Sequence, residues 1–186
     1  MLTIQDYTLR EMEESDVERV LTWRNREAIR RFMLTDHKIS LEEHLEWFQN
    51  VTREKSAIPL IFSYQNRPLG FMNFTQLDWR NRVCSWGFYI GEEKRPPKSG
   101  QIMGFLSIQY IFEQRSFRKL MGEVLRYNEK SIRLHRELGF HQEGILHQHI
   151  LKGTRYEDLI LFALFRQDWD KRKDQIKEAL FGGEIQ

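Results

Sequence analysis

Two periodicities alternate along the chain. Short apolar runs and two-residue repeats rich in Val, Ile, Phe and Tyr predict strands at residues 3–9, 57–64, 69–75, 83–90, 119–125, 145–150 and 156–165. Between them the repeat lengthens to that of a helix. Ser15-Asp16 precedes Val17, Val20, Leu21 and Trp23, which predicts a capped helix. Ser40, followed three residues later by Glu43, forms a capping box that opens a second helix carrying Leu41, Leu45, Trp47 and Phe48. Residues 101–114 are apolar on most sides, so that helix is covered by protein on more than one face. Residues 129–138 predict a fourth helix, closed by a left-handed Gly139 with Phe140 folding back against it. The order describes a mixed α/β fold with two helices before the central strands and two after.

The 186 residues fit one domain, with residues 1–168 as its body and 169–186 as a charged tail or helix anchored by Trp169, Ile176, Leu180 and Phe181. Residues 182–186 are expected to fray. Apolar residues make up 40% and charged residues 30%, which excludes a disordered chain. With 29 basic and 27 acidic side chains the formal net charge is +2, too small to draw the whole molecule to nucleic acid or a membrane. Cys84 is the only cysteine, so no intrachain disulfide forms; this agrees with a reducing compartment. Its apolar setting, Val83-Cys84-Ser85-Trp86, predicts a buried inert thiol. No basic segment followed by a long apolar run opens the chain, and no stretch approaches a membrane span, so a cytoplasmic location is expected.

Four groups of residues could carry chemistry. The stretch RPPKSGQIMG at 95–104 leads from a strand into an apolar helix, where unpaired N–H groups suit phosphate oxygens; Arg95, Lys98 and Ser99 add donors. Its glycine spacing fits neither the dinucleotide fingerprint nor a Walker loop, and a helix start with a capping serine accounts for it equally. In the second group, Ser131, His135 and Leu138 share a helix face, so His135 points toward the sheet, as a packed core histidine or a working one. Asn128 suits the N-cap of that helix. Glu123 shares a strand face with Met121 and Leu125, either at a sheet edge or buried for a purpose. The third group is Arg24 beside Trp23, with His44 and Trp47; it could hold a phosphate or base, or be an ordinary core and surface pairing. Last, His147 and His149 are two residues apart, too few ligands for zinc, and no metal site is predicted.

Taken in order, WRN (23–25), ISLEEHLEWF (39–48), WGFYIGEE (86–93) and NEKSIRLHRELGF (128–140) resemble the GCN5-related N-acetyltransferase (GNAT) superfamily over residues 7–169. Within it they are similar to the nucleotide-sugar acetyltransferases of pseudaminic acid synthesis, which acetylate the 4-amine of a UDP-linked altrosamine derivative. The resemblance implies a mostly antiparallel seven-stranded sheet with a V-shaped split between its central parallel strands, flanked by about four helices. Acetyl-CoA would enter the split, pairing with Phe88, Tyr89 and Ile90 and resting its pyrophosphate on Arg95, Lys98, Ser99, Gly100, Gln101 and Ile102. Asn128 and Ser131 would meet the pantetheine arm. Arg24, Asn25, Met33, His44, Trp47 and Trp86 would face the acceptor, and no metal is implied. The resemblance leaves a homodimer open.

It also implies direct transfer, with Glu123 as water-mediated base and His135 as acid to the departing thiolate. Two positions depart from the family pattern. Lys98 replaces the middle glycine of the pyrophosphate loop, where its charge would offset the lost backbone approach, and His135 replaces a common tyrosine. The unperturbed pKa of histidine is about 6.5 against about 10 for tyrosine, so an exposed imidazole would be partly protonated near neutrality. Other acceptors in the same class are a protein N-terminus or a small amine such as an antibiotic. Outside it stands a non-catalytic acyl-CoA-binding module.

Overall fold

In the computed structural model, which describes residues 3–182, seven strands form one sheet in the order β1-β2-β3-β4-β5-β7-β6. These are β1 (Tyr7–Glu11), β2 (Ile58–Tyr64), β3 (Arg67–Asp78), β4 (Val83–Ile90), β5 (Lys119–Leu125), β6 (His141–Lys152) and β7 (Arg155–Phe165). All neighbours are antiparallel except β4 and β5. That parallel pair is matched over only four residue pairs, Val83↔Lys119 to Trp86↔Gly122. β4 continues to Ile90 on the β3 side alone, so past Trp86 the sheet forks into two arms, β1–β4 and β5–β7.

Six α-helices flank the sheet: α1 (Val17–Asn25), the single turn α2 (Glu27–Arg30), α3 (Leu41–Glu54), α4 (Ser99–Gln109), α5 (Glu129–Glu137) and α6 (Arg166–Phe181). The expected four are α1, α3, α4 and α5. The charged C-terminal segment supplies another because Trp169 is fully buried against Phe105 of α4, ring centroids 5.1 Å apart, with Ile176 and Leu180 behind it. α6 thus crosses the expected boundary at residue 168. Residues 183–186, part of the segment expected to fray, lie outside the described residues.

Strand alternation builds a core on each face of the sheet. Ile61 and Phe71 pack with Val17, Val20 and Trp23 of α1, while Leu60, Met72 and Phe74 face the larger cluster with Phe105, Ile108 and Phe112. Each large apolar side chain so buried stabilises the fold by about 1.5–3 kcal/mol. α4 ends at Gln109 and runs into a π turn, Tyr110–Gln114, which is part of the expected longer helix.

Three boundaries differ from the sequence reading for local reasons. Asp6 accepts the Thr3 N–H and closes a 3-10 turn at Ile4–Asp6, so β1 begins only at Tyr7. The expected Asp16 cap is not made. Its carboxylate accepts two hydrogen bonds from Arg10, at 2.6 and 2.8 Å, and one from the Glu13 N–H. β6 is longer than its apolar run, because it spans a bulge between Leu146 and Ile150 where Asp158 accepts the Gln148 N–H. Ser40 caps α3 through the Glu43 N–H, and Gly139 takes a φ of +93° just beyond α5.

Candidate active site

The fork opens into a cleft of about 910 Å³. One wall is the free edge of β4 at Phe88, Tyr89 and Ile90; the other is α5 with Asn128, Ser131 and Leu134. The floor carries Arg95, Lys98, Ser99, Gly100 and Gln101. Ser99, Gly100 and Gln101 stand in the first turn of α4, before the first intrahelical bond from the Ile102 N–H to the Lys98 carbonyl, so the positive end of the helix faces the cleft. Arg26, Arg31, Lys130 and Arg133 also line it. The result is a groove with extended backbone on one side and cationic, N–H-rich surface below, suited to a long amide-containing chain that ends in phosphates.

The loop substitution has a clear geometry. Lys98 sits at φ +59°, the left-handed region in which glycine is the easy residue, and its Nζ donates to the Ala179 carbonyl at 2.9 Å. Its charge therefore goes to the C-terminal end of α6 rather than to the pyrophosphate position, a correction to the expected charge compensation. Ile102 is another correction. It is fully buried beside Tyr7, Phe62 and Leu69, and its N–H is already used. Arg95 donates to the Glu92 and Glu93 carbonyls at the cleft rim. Asn128 accepts the Ser131 N–H as the N-cap of α5 while still lining the cleft.

At the apex of the fork, His135 is buried and enclosed by rings: Phe162 is stacked at 5.0 Å, with Phe140 at 4.9 Å and Trp86 at 5.4 Å edge-on. The Trp86 indole N–H donates to Nε2 at 3.1 Å. Indole is only a donor, so Nε2 must be the bare nitrogen and Nδ1 carries the proton. Nδ1 donates to the Ser131 carbonyl at 2.8 Å. Desolvation pushes the His135 pKa down to about 4, only partly opposed by that backbone hydrogen bond. The ring is neutral at physiological pH and both nitrogens are occupied. Trp86, expected at the acceptor, is likewise buried and spends its N–H on His135.

Glu123 lies one residue past the last β4–β5 pair, exposed at the opening of the fork. On the β1–β4 arm, Arg24 is buried; Nη2 donates to the Thr35 carbonyl and hydroxyl, and Nη1 has no partner. Among the described residues no carboxylate pairs with it, and burial lowers its pKa. His44 is buried too, stacked on Trp47 at 5.1 Å, with Nε2 unpartnered and its pKa lowered by desolvation. Trp47 meets Phe71, which meets Tyr89. Asn25 exchanges two hydrogen bonds with the Ile39 backbone, so its amide is a loop clamp rather than a free acceptor contact. Met33 lines the cleft. Cys84 is fully buried, and desolvation raises its pKa to about 12, as expected of an inert thiol.

Residues 9–161 match the family model described as acetyltransferase (GNAT) domain. The chain belongs to the GNAT acetyltransferase family. It is an acetyl-CoA-dependent N-acetyltransferase, and the forked sheet is the GNAT fold. It is 25% identical to the acetyltransferase PseH of Campylobacter jejuni over 140 residues, 75% of this chain and 85% of that protein. It is 21% identical to the spermidine N(1)-acetyltransferase of Escherichia coli K12 over 162 residues, 87% of each. Among solved structures, the spermidine N-acetyltransferase from Vibrio cholerae in complex with CoA and spermine superimposes with a TM-score of 0.84, at 19% identity, covering 89% of this chain and 98% of that one.

Within this GNAT domain, cleft residues that were not singled out from the sequence as site residues include Arg26, Arg31 and Phe32. The density of arginine at 24–31 was the available signal; which of them face the cleft depends on how α1 and α2 dock. No helix among the described residues is long and apolar enough to cross a membrane.

Proposed function

We propose that the protein acetylates the 4-amino group of a UDP-linked amino sugar by direct attack in a ternary complex. The observation that carries this reading is Arg24: a buried guanidinium with one nitrogen unpartnered and no salt bridge, with Glu43 acting on it only at longer range, and close to His44, whose Nε2 is also unpartnered. A buried cation without a counter-charge is costly, and an anionic group of the acceptor would relieve it. Arg26 and Arg31 on the nearby wall add to the positive field. Glu92, Glu93 and Glu137 also line the cleft, so the contrast rests on Arg24: a buried cation favours a nucleoside diphosphate over a polycation such as spermidine. Resemblance of the WRN and EHLEWF segments to nucleotide-sugar acetyltransferases, and the similarity to PseH, point the same way.

In this reading the backbone N–H groups of Ser99, Gly100 and Gln101, with Arg95, hold the cosubstrate's phosphates, the Ser99 hydroxyl being spent on the Pro96 carbonyl; the β4 edge pairs with its amide arm, and Asn128 and Ser131 face that arm. The neutral amine attacks the thioester carbonyl, the C–N bond forms, and the C–S bond breaks. Glu123 takes the amine proton through water. An amine flanked by oxygen-bearing carbons is less basic than lysine, whose pKa is about 10.4, so less is asked of that base. The leaving thiol has the ordinary acidity of its class, about 8.5 for cysteine, and departs without a strong acid. His135, neutral and doubly bonded, acts by positioning Trp86 and Ser131 at the fork rather than by giving up a proton.

An acceptor panel with a thiol-release readout tests the proposal. The UDP-amino sugar should stimulate CoA release, while spermidine, peptide N-termini and aminoglycosides should not. Arg24→Lys should raise the acceptor KM by about tenfold, the cost of a lost charge-assisted bond, with acetyl-CoA KM unchanged. Stimulation by spermidine alone would replace the sugar reading with a polyamine one. Acetyl-CoA binding without transfer to any amine would leave only a binding module.

A further inference from the structure

Residues 31–38 cross the mouth of the fork from one arm of the sheet to the other, and the crossing is bonded on both sides. From the β1–β4 arm, Arg24 holds Thr35 and Arg30 Nη1 donates to the Asp36 carbonyl at 2.5 Å. From the β5–β7 arm, the Tyr127 hydroxyl donates to the Arg31 carbonyl at 2.6 Å, and its ring lies 5.9 Å from Phe32. Lys152, at the end of β6, donates from Nζ to the Met33 carbonyl at 2.8 Å and sits 3.4 Å from Asp36 Oδ2. Its side chain is only 10% exposed, which is unusual for a hairpin lysine and shows the ammonium withdrawn from water onto this segment. The same segment presents Arg31, Phe32 and Met33 to the cleft. Beyond Trp86↔Gly122 the β4–β5 ladder supplies no bond across this gap.

We propose that residues 31–38 are a strap closing the acceptor side of the fork, with Lys152 and Tyr127 as positioning residues that set its height. The strap decides which amines reach the thioester. This rests on the acetyl-transfer reading of the cleft but not on any one acceptor.

The test uses the full chain with Lys152→Met, Lys152→Arg and Tyr127→Phe. Hydrogen exchange is followed at the Phe32 and Met33 amides, which bond to the Ile29 and Arg30 carbonyls, with α4 amides as the internal reference. Lys152→Met should speed strap exchange by about tenfold, as for one lost charged hydrogen bond, and leave α4 unchanged. Lys152→Arg should restore most of the protection, and Tyr127→Phe, which removes one hydroxyl, should give a smaller rise. With an active acceptor, Lys152→Met should raise the acceptor KM and spare the acetyl-CoA KM. Strap exchange equal to the parent in both Lys152→Met and Tyr127→Phe would overturn the proposal, as would a fall in kcat with no change in acceptor KM. Exchange needs no acceptor, so the strap can fail while acetyl transfer stands, and an empty acceptor panel leaves the strap test intact.

Discussion

A histidine on the inner face of a helix can be an acid, a ligand or a packed ring, and the helical spacing of Ser131, His135 and Leu138 is the same for all three. What separates them is the occupancy of the two ring nitrogens, and here Trp86 and the Ser131 carbonyl take both. Its folded pKa of about 4 lies below the unperturbed 6.5, so between those values the unfolded chain binds a proton that the folded chain refuses. This contribution to stability is complete above pH 6.5 and is lost as pH falls toward 4. Lowering the pH from 6.5 to 5 should cost about 1–2 kcal/mol from His135 alone, with His44 acting in the same direction. Urea unfolding at the two pH values measures it. His135→Phe should flatten that acid dependence and cost about 1–3 kcal/mol at pH 7, because the Trp86 N–H loses its acceptor. The alkaline limb of kcat should persist in this variant; its disappearance would restore the acid role.

At the scale of elements, the apex of the fork depends on how closely β4, β5 and α5 approach. A Cβ on Gly122 would lie 2.6 Å from His135 Nε2 and 2.8 Å from Trp86 Nε1. Gly122→Ala must therefore push the two rings apart, at a cost of about 1–3 kcal/mol, and should lower activity even at temperatures where the protein stays folded. A melting curve beside a rate assay separates the two effects; a variant with parental stability and rate would contradict the contact. Element identity was largely legible in the chain. Strand alternation placed Ile61 and Leu60 on opposite faces, and Ser40 with Glu43 marked the start of α3. The misjudged ends are those at which a polar side chain bonded elsewhere, as Asp16 did with Arg10 and Asp158 with the β6 bulge. Those pairings are short-range side-chain hydrogen bonds, which the periodicity of apolar residues does not register.

For the whole molecule, the sheet is a pair of arms joined at the centre by four residue pairs, with α4 and α5 beside the gap. A cosubstrate seated along β4 and on the first turn of α4 would bind the folded chain alone. At a hundred times its dissociation constant acetyl-CoA should add about 2.7 kcal/mol to stability, seen as a rise in melting temperature. On the proposed placement of the phosphates at Arg95 and the first turn of α4, part of that gain is electrostatic and should shrink as salt is raised. No rise at saturating acetyl-CoA would mean that the cleft is not its site.

The sequence alone determined the succession of strands and helices and the buried thiol at Cys84, which follow from periodicity and local composition, while the candidate set at the fork came from the resemblance of its motifs to the GNAT family. Only the tertiary structure decided which candidates are free to act. Lys98 is turned to Ala179, Ile102 is in the core, Asn25 is spent on Ile39, and His135 is filled from both sides. The physical reason is that a polar side chain's role depends on which partner satisfies it, and that partner is set by how the segments pack, from one helical turn away for Ser131 to a separate helix for Ala179.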